Sequence, residues 1–467
     1  MSPNVALLAL ALAATPPRPA PIVAAALEGR SYDLLAELTD GIGARPAGSA
    51  GAEAAVTWAA DWFRREGLAV RLEPVRLRRW VRGVERAEVV ASARWRAQPL
   101  VVTALGSSPP TPPAGLAGEV VEAGGLEELR ALGERVNGKV VLLQHDMKDA
   151  SGYGRHAGLR LHGPAVAAKL GASAVLVRSL STATLRAAHT GATLFPKHGP
   201  AVPAAAITLE DAELLHRLLA RGPVTVRLWL GCGPGDPPEA DSANVVAELR
   251  GSVRAEEMVV VAAHLDSWDL GTGAIDDGAG VAMVMETMRI LKSLPQPPRR
   301  TVRAVLFMNE ENGVDGGVAY ARAHEQDGAR TVAAMEADGG AARPTGVRVT
   351  AGPGGPELVR AWARPLASLG ADRVTEGGGG TDISPLGWQR VPTLDVRQDS
   401  THYFDWHHSA ADTLDKVDRR ELAEATAAFA WVAWAAADAA DTLARPPAPE
   451  GPPWWAEPAP PVAKPSR

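Results

Sequence analysis

The sequence predicts an α/β protein: a three-layer αβα sandwich on a mostly parallel central sheet, interrupted by a β-rich module. Three observations carry that expectation. From Ser242 onward long apolar runs alternate with helical patterns, the way a parallel sheet covered by helices reads. Between 109 and 237 the texture changes to Pro and Gly punctuation, with short Val-rich strands such as Lys139–Leu143 and Ala174–Val177 and one intervening helix, His162–Leu170. In the C-terminal half, successive apolar runs end on clusters of acidic residues or histidines.

Taken in order, Val5–Ala14 is a short apolar run followed by Thr15, Pro16 and Pro17. It reads as a secretory signal over 1–14, too short to span a bilayer, and places the mature protein in the periplasm or outside the cell. Residues 28–108 form the first part of the main unit. Leu34, Leu35 and Leu38 mark one amphipathic helix, Ala52–Glu66 a second, and Ala69–Val75 a strand. Residues 109–237 are the insertion, 238–445 the rest of the main unit, and 446–467 a tail rich in Pro and Ala.

Composition limits the function classes. The 467 residues are about two to three times a usual domain, so more than one folding unit is expected. With 46% apolar and 22% charged residues, neither a disordered chain nor a polytopic membrane protein fits. A net charge of −6 without a basic stripe argues against nucleic acid as a partner. The single cysteine, Cys232, has no internal disulfide partner and reads as a passive thiol.

The chemistry lies at the strand ends. Met258–Ala263 runs into His264-Leu265-Asp266, and Asp276-Asp277-Gly278 opens a helix carrying Val281, Val284, Met285 and Met288 on one face. Thr301–Met308 ends in Asn309-Glu310-Glu311, Thr331–Met335 in Glu336-Ala337-Asp338, and Val391–Val396 precedes a loop with His402, His407 and His408. In an open α/β sheet the carboxyl ends of the strands form the ligand crevice, so these clusters converge. Singly, each has an ordinary structural reading: a polar strand end, an N-cap or a surface turn. Together, two His and at least three carboxylates form a donor set for divalent ions, with imidazole favouring zinc.

The stretches His264–Asp269, Asp276–Gly280, Asn309–Gly313, His407-His408-Ser409 and Asp412-Thr413 resemble family twenty-eight of the metallopeptidases. The resemblance covers most of the chain. It includes an N-terminal piece around Leu38–Gly48 and an insertion similar to a protease-associated (PA) domain, and the Gly-rich loop Gly377–Asp382 is similar to the substrate-side loop of the carboxypeptidase Q group. The resemblance implies a zinc-peptidase fold with two Zn2+ per chain: His264 and Asp338 on one, Glu311 and His408 on the other, and Asp276 bridging. It implies Glu310 as general base, Asp266 as the carboxylate that orients His264, and His407, Thr381 and Asp382 toward the substrate.

The expected activity is zinc-dependent hydrolysis at peptide ends, with peptides or dipeptides as substrates and a homodimer as an expected assembly. Aminopeptidase action comes first, with a carboxypeptidase Q-like carboxypeptidase or a dipeptidase as the alternative. Glutaminyl cyclisation and an inactive peptidase-like binding protein rank below, because all five ligand positions and the base are present. The insertion offers scattered histidines without ligand spacing, so it is expected to gate and line the crevice, not to hold metal.

Overall fold

The structure, a computed structural model, describes residues 21–93, 97–451 and 453. The signal over 1–14 and most of the tail lie outside these residues. The first eight-stranded sheet has the order Ala69–Val81, Gly233–Leu249, Arg300–Phe307, Arg254–His264, Thr331–Glu336, Thr393–Gln398, Pro344–Thr350, Val374–Glu376. Its four central strands are mutually parallel, whereas Gly233–Leu249 and Pro344–Thr350 flank them antiparallel, so the sheet is mixed with a parallel centre.

Met258–His264, Arg300–Phe307 and Thr331–Glu336 are buried almost throughout because both faces are covered, whereas the outer parallel strand Thr393–Gln398 alternates and leaves Arg397 exposed. Val259, Val261 and Ala263 point into one core, with the helices Ser31–Gly41, Ala50–Arg65, Ala279–Ser293 and Arg419–Asp438. Val260 and Ala262 point into another, with Tyr320 and Ala321 of the helix Asp315–Ala323 and Leu386 of the helix Ser384–Trp388. Neighbouring residues of one strand thus serve opposite helix layers, which is the three-layer arrangement.

Ala69–Val81 and Gly233–Leu249 pair as a long antiparallel ribbon whose far end leaves this sheet and leads into a second one. The second sheet has the order Gln98–Leu100, Glu85–Ala91, Thr225–Leu230, Leu116–Ala123, Val140–Leu143, Ala174–Arg178, Ala204–Ile207, Val102–Ala104. Its two outermost strands are joined by residue 101 alone, so the sheet wraps round on itself. Three short strands between Glu85 and Ala104 therefore belong to this unit, ahead of residue 109 where the sequence reading starts the insertion.

The single helix expected over His162–Leu170 needs correction. The helix runs from Tyr153 to Lys169, and two more, Leu126–Leu132 and Leu209–Leu219, flank the same sheet. Gly154, Gly158, Gly163 and an interior Pro164 hide the first half of the long helix, since Gly and Pro are the poorest helix formers. Burial of Leu159, Ala167 and Ala168 supplies what propensity withholds.

Candidate metal centre

His264 is the last residue of its strand; Glu310 and Glu311 follow the adjacent strand, and Asp338 follows Thr331–Glu336. All four stand at the carboxyl edge of the parallel block. His407 and His408 come back to the same edge after the short helix Tyr403–Trp406.

The loop from His264 to Asp276 is fixed by two residues distant in sequence. Arg45, wholly buried, donates to Leu265 O at 2.8 Å, Thr272 O at 2.7 Å, Gly273 O at 3.0 Å and Gly43 O at 2.9 Å. Asp412 accepts from the backbone N–H of Ala274 at 2.8 Å and Ile275 at 2.7 Å. Asp277 then ties strand to helix, accepting from His264 N at 3.1 Å and Gly280 N at 3.0 Å. The next residue outward, Asp276, is thereby aimed into the crevice.

Its two oxygens face different histidines. Asp276 Oδ1 is 3.2 Å from His264 Nε2, and Oδ2 is 3.2 Å from His408 Nε2. Asp338 Oδ1 lies 3.9 Å from His264 Nε2, and Glu311 Oε2 lies 3.0 Å from His408 Nε2. His407 Nε2 also approaches Asp276 Oδ2, at 3.5 Å, and its ring stacks on that of His408 at 3.6 Å between centroids. Two donor groups result, His264–Asp276–Asp338 and Asp276–His407–His408, with Asp276 common to both.

The far nitrogens of the two facing histidines meet carbonyls, which leaves Nε2 of each toward the centre. His264 Nδ1 donates to Asp266 O at 3.1 Å, and His408 Nδ1 donates to Thr190 O at 3.2 Å. The Asp266 carboxylate is farther from His264 Nδ1, at 3.7 Å. Its closer partners are the backbone N–H groups of Asn309 at 2.8 Å, Glu310 at 3.1 Å and Glu311 at 3.3 Å. Asp266 thus gathers the loop that carries both glutamates, besides standing behind His264.

The electrostatics call for a cation. Burial, then Asp276, pushes Glu311 up to about 8. Burial also raises Asp338 and Asp277, which repel each other, and raises Glu310 beside Asp276 and Asp266. Asp276 alone is held well below the usual range: burial opposes its charge, but the two histidines that face its oxygens, His264 and His408, prevail. Asp276 Oδ2 and Glu311 Oε1 are buried without a hydrogen bond among the described residues. Imidazole nitrogens, crowded carboxylates and unpartnered oxygens fit divalent zinc.

Of the residues expected near the substrate, Thr381 and His407 line the crevice together with Glu310. Asp382 does not line it. Its backbone N–H is drawn down to Glu336 Oε1 at 3.3 Å, and its carboxylate is buried against Gly317. The sequence reading gave Arg45 no role, although it lies within Leu38–Gly48, and missed Thr190 and Arg160. Arg160, from the helix of the second unit, lines the crevice and lies 3.3 Å from His408 Nδ1, 3.3 Å from Thr190 O and 3.0 Å from Tyr153 OH. Asp277 and Asp412 stood within recognised motifs and were legible as such.

The model of Peptidase family M28 matches residues 244–433. Carboxypeptidase Q of Mus musculus is 36% identical over 388 residues, covering 83% of this chain and 81% of that protein. The crystal structure of a peptidase M28 precursor from Shewanella amazonensis SB2B superposes with a TM-score of 0.87 at 37% identity, covering 92% of this chain and 98% of the other. A zinc aminopeptidase from Bacillus subtilis shares the fold, with a TM-score of 0.63 at 21% identity over 86% of this chain and 93% of the other.

Proposed function

The chain belongs to peptidase family M28, and from that premise we propose that it is a two-zinc exopeptidase acting at the carboxyl end of peptides or on dipeptides. The observation that carries the two-metal reading is Asp276, whose oxygens point to His264 and His408 respectively. In this reading His264 and Asp338 would hold one zinc, Glu311 and His408 would hold the other, and Asp276 would serve both. His408 is preferred to His407 because Thr190 O fixes its Nδ1, whereas His407 Nδ1 has no partner among the described residues.

Zinc at such a site polarises the scissile carbonyl and makes water acidic enough to lose a proton near neutral pH. The Glu310 carboxylate, in the crevice lining beside Thr381, would accept that proton and return it to the leaving amine. Asp266 keeps Glu310 and Glu311 in register through their backbone N–H groups. The second unit, read as a PA module, closes one side of the crevice with Tyr153 and Arg160.

Two observations move the preference from the amino to the carboxyl end. The curated relative aligned across 83% of this chain is named a carboxypeptidase, while the aminopeptidase likeness at 21% identity speaks for the fold alone. Arg160, 6% exposed in the crevice, has no carboxylate within ion-pair distance among the described residues. A buried guanidinium of that kind suits a substrate carboxylate. The test is a panel of N-blocked dipeptides, free dipeptides and amino-acid amides after zinc reconstitution. Cleavage of N-blocked dipeptides with inert amides is expected; cleavage of amides with inert blocked dipeptides overturns the carboxyl-end reading.

A further inference from the structure

We propose that the second unit selects the substrate's C-terminal residue, through an apolar wall built by Ala157, Leu161 and Leu194. The inference rests on the carboxyl-end reading given above and goes on to name the side chain accepted.

Helix Tyr153–Lys169 turns one face to the metal centre. Tyr153, Ala157, Arg160 and Leu161 fall at i, i+4, i+7 and i+8, a single stripe along the helix, and all four line the same cavity of about 660 Å³. Leu194 joins them from the following loop, its N–H donating to Leu161 O at 2.8 Å. It is 50% exposed although it lines the same cavity as Glu310 and His408. Ala192 and Val314 extend the same lining. An exposed leucine inside a crevice rimmed by charge is surface left uncovered for a ligand.

Arg160, Leu161 and Leu194 line one cavity, so a terminal carboxylate at the guanidinium sets the side chain of that terminal residue within reach of Leu161 and Leu194. Carbon walls stabilise Leu, Met or Phe there and offer a charged side chain no partner, which makes its burial costly. The other arm of the crevice differs. Beyond Asp338 a cavity of about 600 Å³ mixes Glu336, Arg348, Asp395 and Gln398 with Tyr153, Tyr403 and Phe404, so it is the more polar arm, and the aliphatic wall of Leu161 and Leu194 belongs to the other.

The experiment uses the full-length zinc-loaded protein with acetyl-Ala-X and free Ala-X substrates, X being Leu, Met, Phe, Gly, Lys or Asp. Leu, Met and Phe are expected to exceed Gly, Lys and Asp by about 10-fold or more in kcat/KM, within the range one apolar pocket supplies. Leu161→Glu and Leu194→Glu should shift the order toward Lys. Ala157→Phe, a milder change that guards against misfolding, should lower Phe relative to Gly. Zinc content and Tm equal to the parent's qualify each variant. A parent without apolar preference, or qualified variants that all keep the parent's order, overturns the inference. Failure of the reading beneath it is separable: the parent would then cleave leucine amide and none of the acetylated panel, before any variant is made.

Discussion

Glu310 and Glu311 are adjacent, chemically identical and assigned opposite duties. Glu311 lies 3.0 Å from His408 Nε2, whereas Glu310 lines the crevice without a histidine contact of that kind among the described residues. Their removal should fail differently. Glu311→Ala leaves one zinc short of an anionic ligand, so bound metal should fall toward one equivalent. Glu310→Gln keeps the donor set and removes the proton carrier, which should lower turnover by about 10² to 10⁴ while zinc stays near two. Elemental analysis beside turnover reads both. The division is refuted if Glu310→Gln loses metal while Glu311→Ala keeps two zinc ions and its activity.

At the scale of elements, the loop 265–275 is held by side chains, not by sheet or helix ladders. Arg45 alone serves four carbonyls there and in its own turn. Arg45→Met would bury those acceptors unsatisfied, at about 1–3 kcal/mol each where no water enters. Urea unfolding should show a loss on the order of 3 kcal/mol or more, with weakened zinc affinity in the folded fraction; unchanged zinc affinity would show that the loop holds Asp276 without Arg45. A second device joins Ala69–Val81 to the end of helix Asp315–Ala323. His324 places Nε2 2.9 Å from Glu73 and Nδ1 2.8 Å from Asp327, with Arg303 3.3 Å away and the Tyr320 ring alongside. Burial opposes its charge, but the hydrogen bonds to Glu73 and Asp327 prevail and raise its pKa above the ordinary 6.5. Its contribution is therefore fully present below that ordinary value and is lost as pH rises through the raised one. The stability difference between the parent and His324→Gln, by urea unfolding, should be larger at about pH 6 than at about pH 9. An equal difference at both would remove the charged histidine from the account.

Across the whole molecule, the metal centre is where the two units meet. Thr190 N donates to His408 O at 2.9 Å, His408 Nδ1 donates back to Thr190 O, and Thr182 Oγ1 donates to Asp405 at 2.6 Å. In the proposed reading zinc binds only the assembled set, so it should stabilise the fold by about 2.7 kcal/mol per occupied site at a free concentration of 100 Kd. Chelation should lower Tm by several degrees, and zinc should restore it. A Tm indifferent to both would mean that the crowded carboxylates are not relieved by metal. The histidines of the second unit are predicted to be dispensable for zinc: His156 pairs with Asp146, His162 and His198 are exposed, and burial pushes His189 down to about 4. Loss of a full zinc equivalent on replacing any of them would move the site.

The sequence by itself determined the parallel centre of the first sheet and the residues that crown it. A strand buried on both faces must be apolar throughout, as Met258–Ala263 is, and the polar residue that ends it must be there for a reason other than packing. That signal is local and survives in one dimension. Only the tertiary structure decided what those ends meet. The pairing of Asp276 with both His264 and His408, the reach of Arg45 over more than 200 residues, and the closure of Thr190 and Arg160 on His408 are contacts between distant segments, and they leave no period in the chain. The helix from Tyr153 is the sharpest instance. Its glycines and Pro164 argue against it residue by residue, and it forms because the second sheet buries one side while the other faces the metal centre.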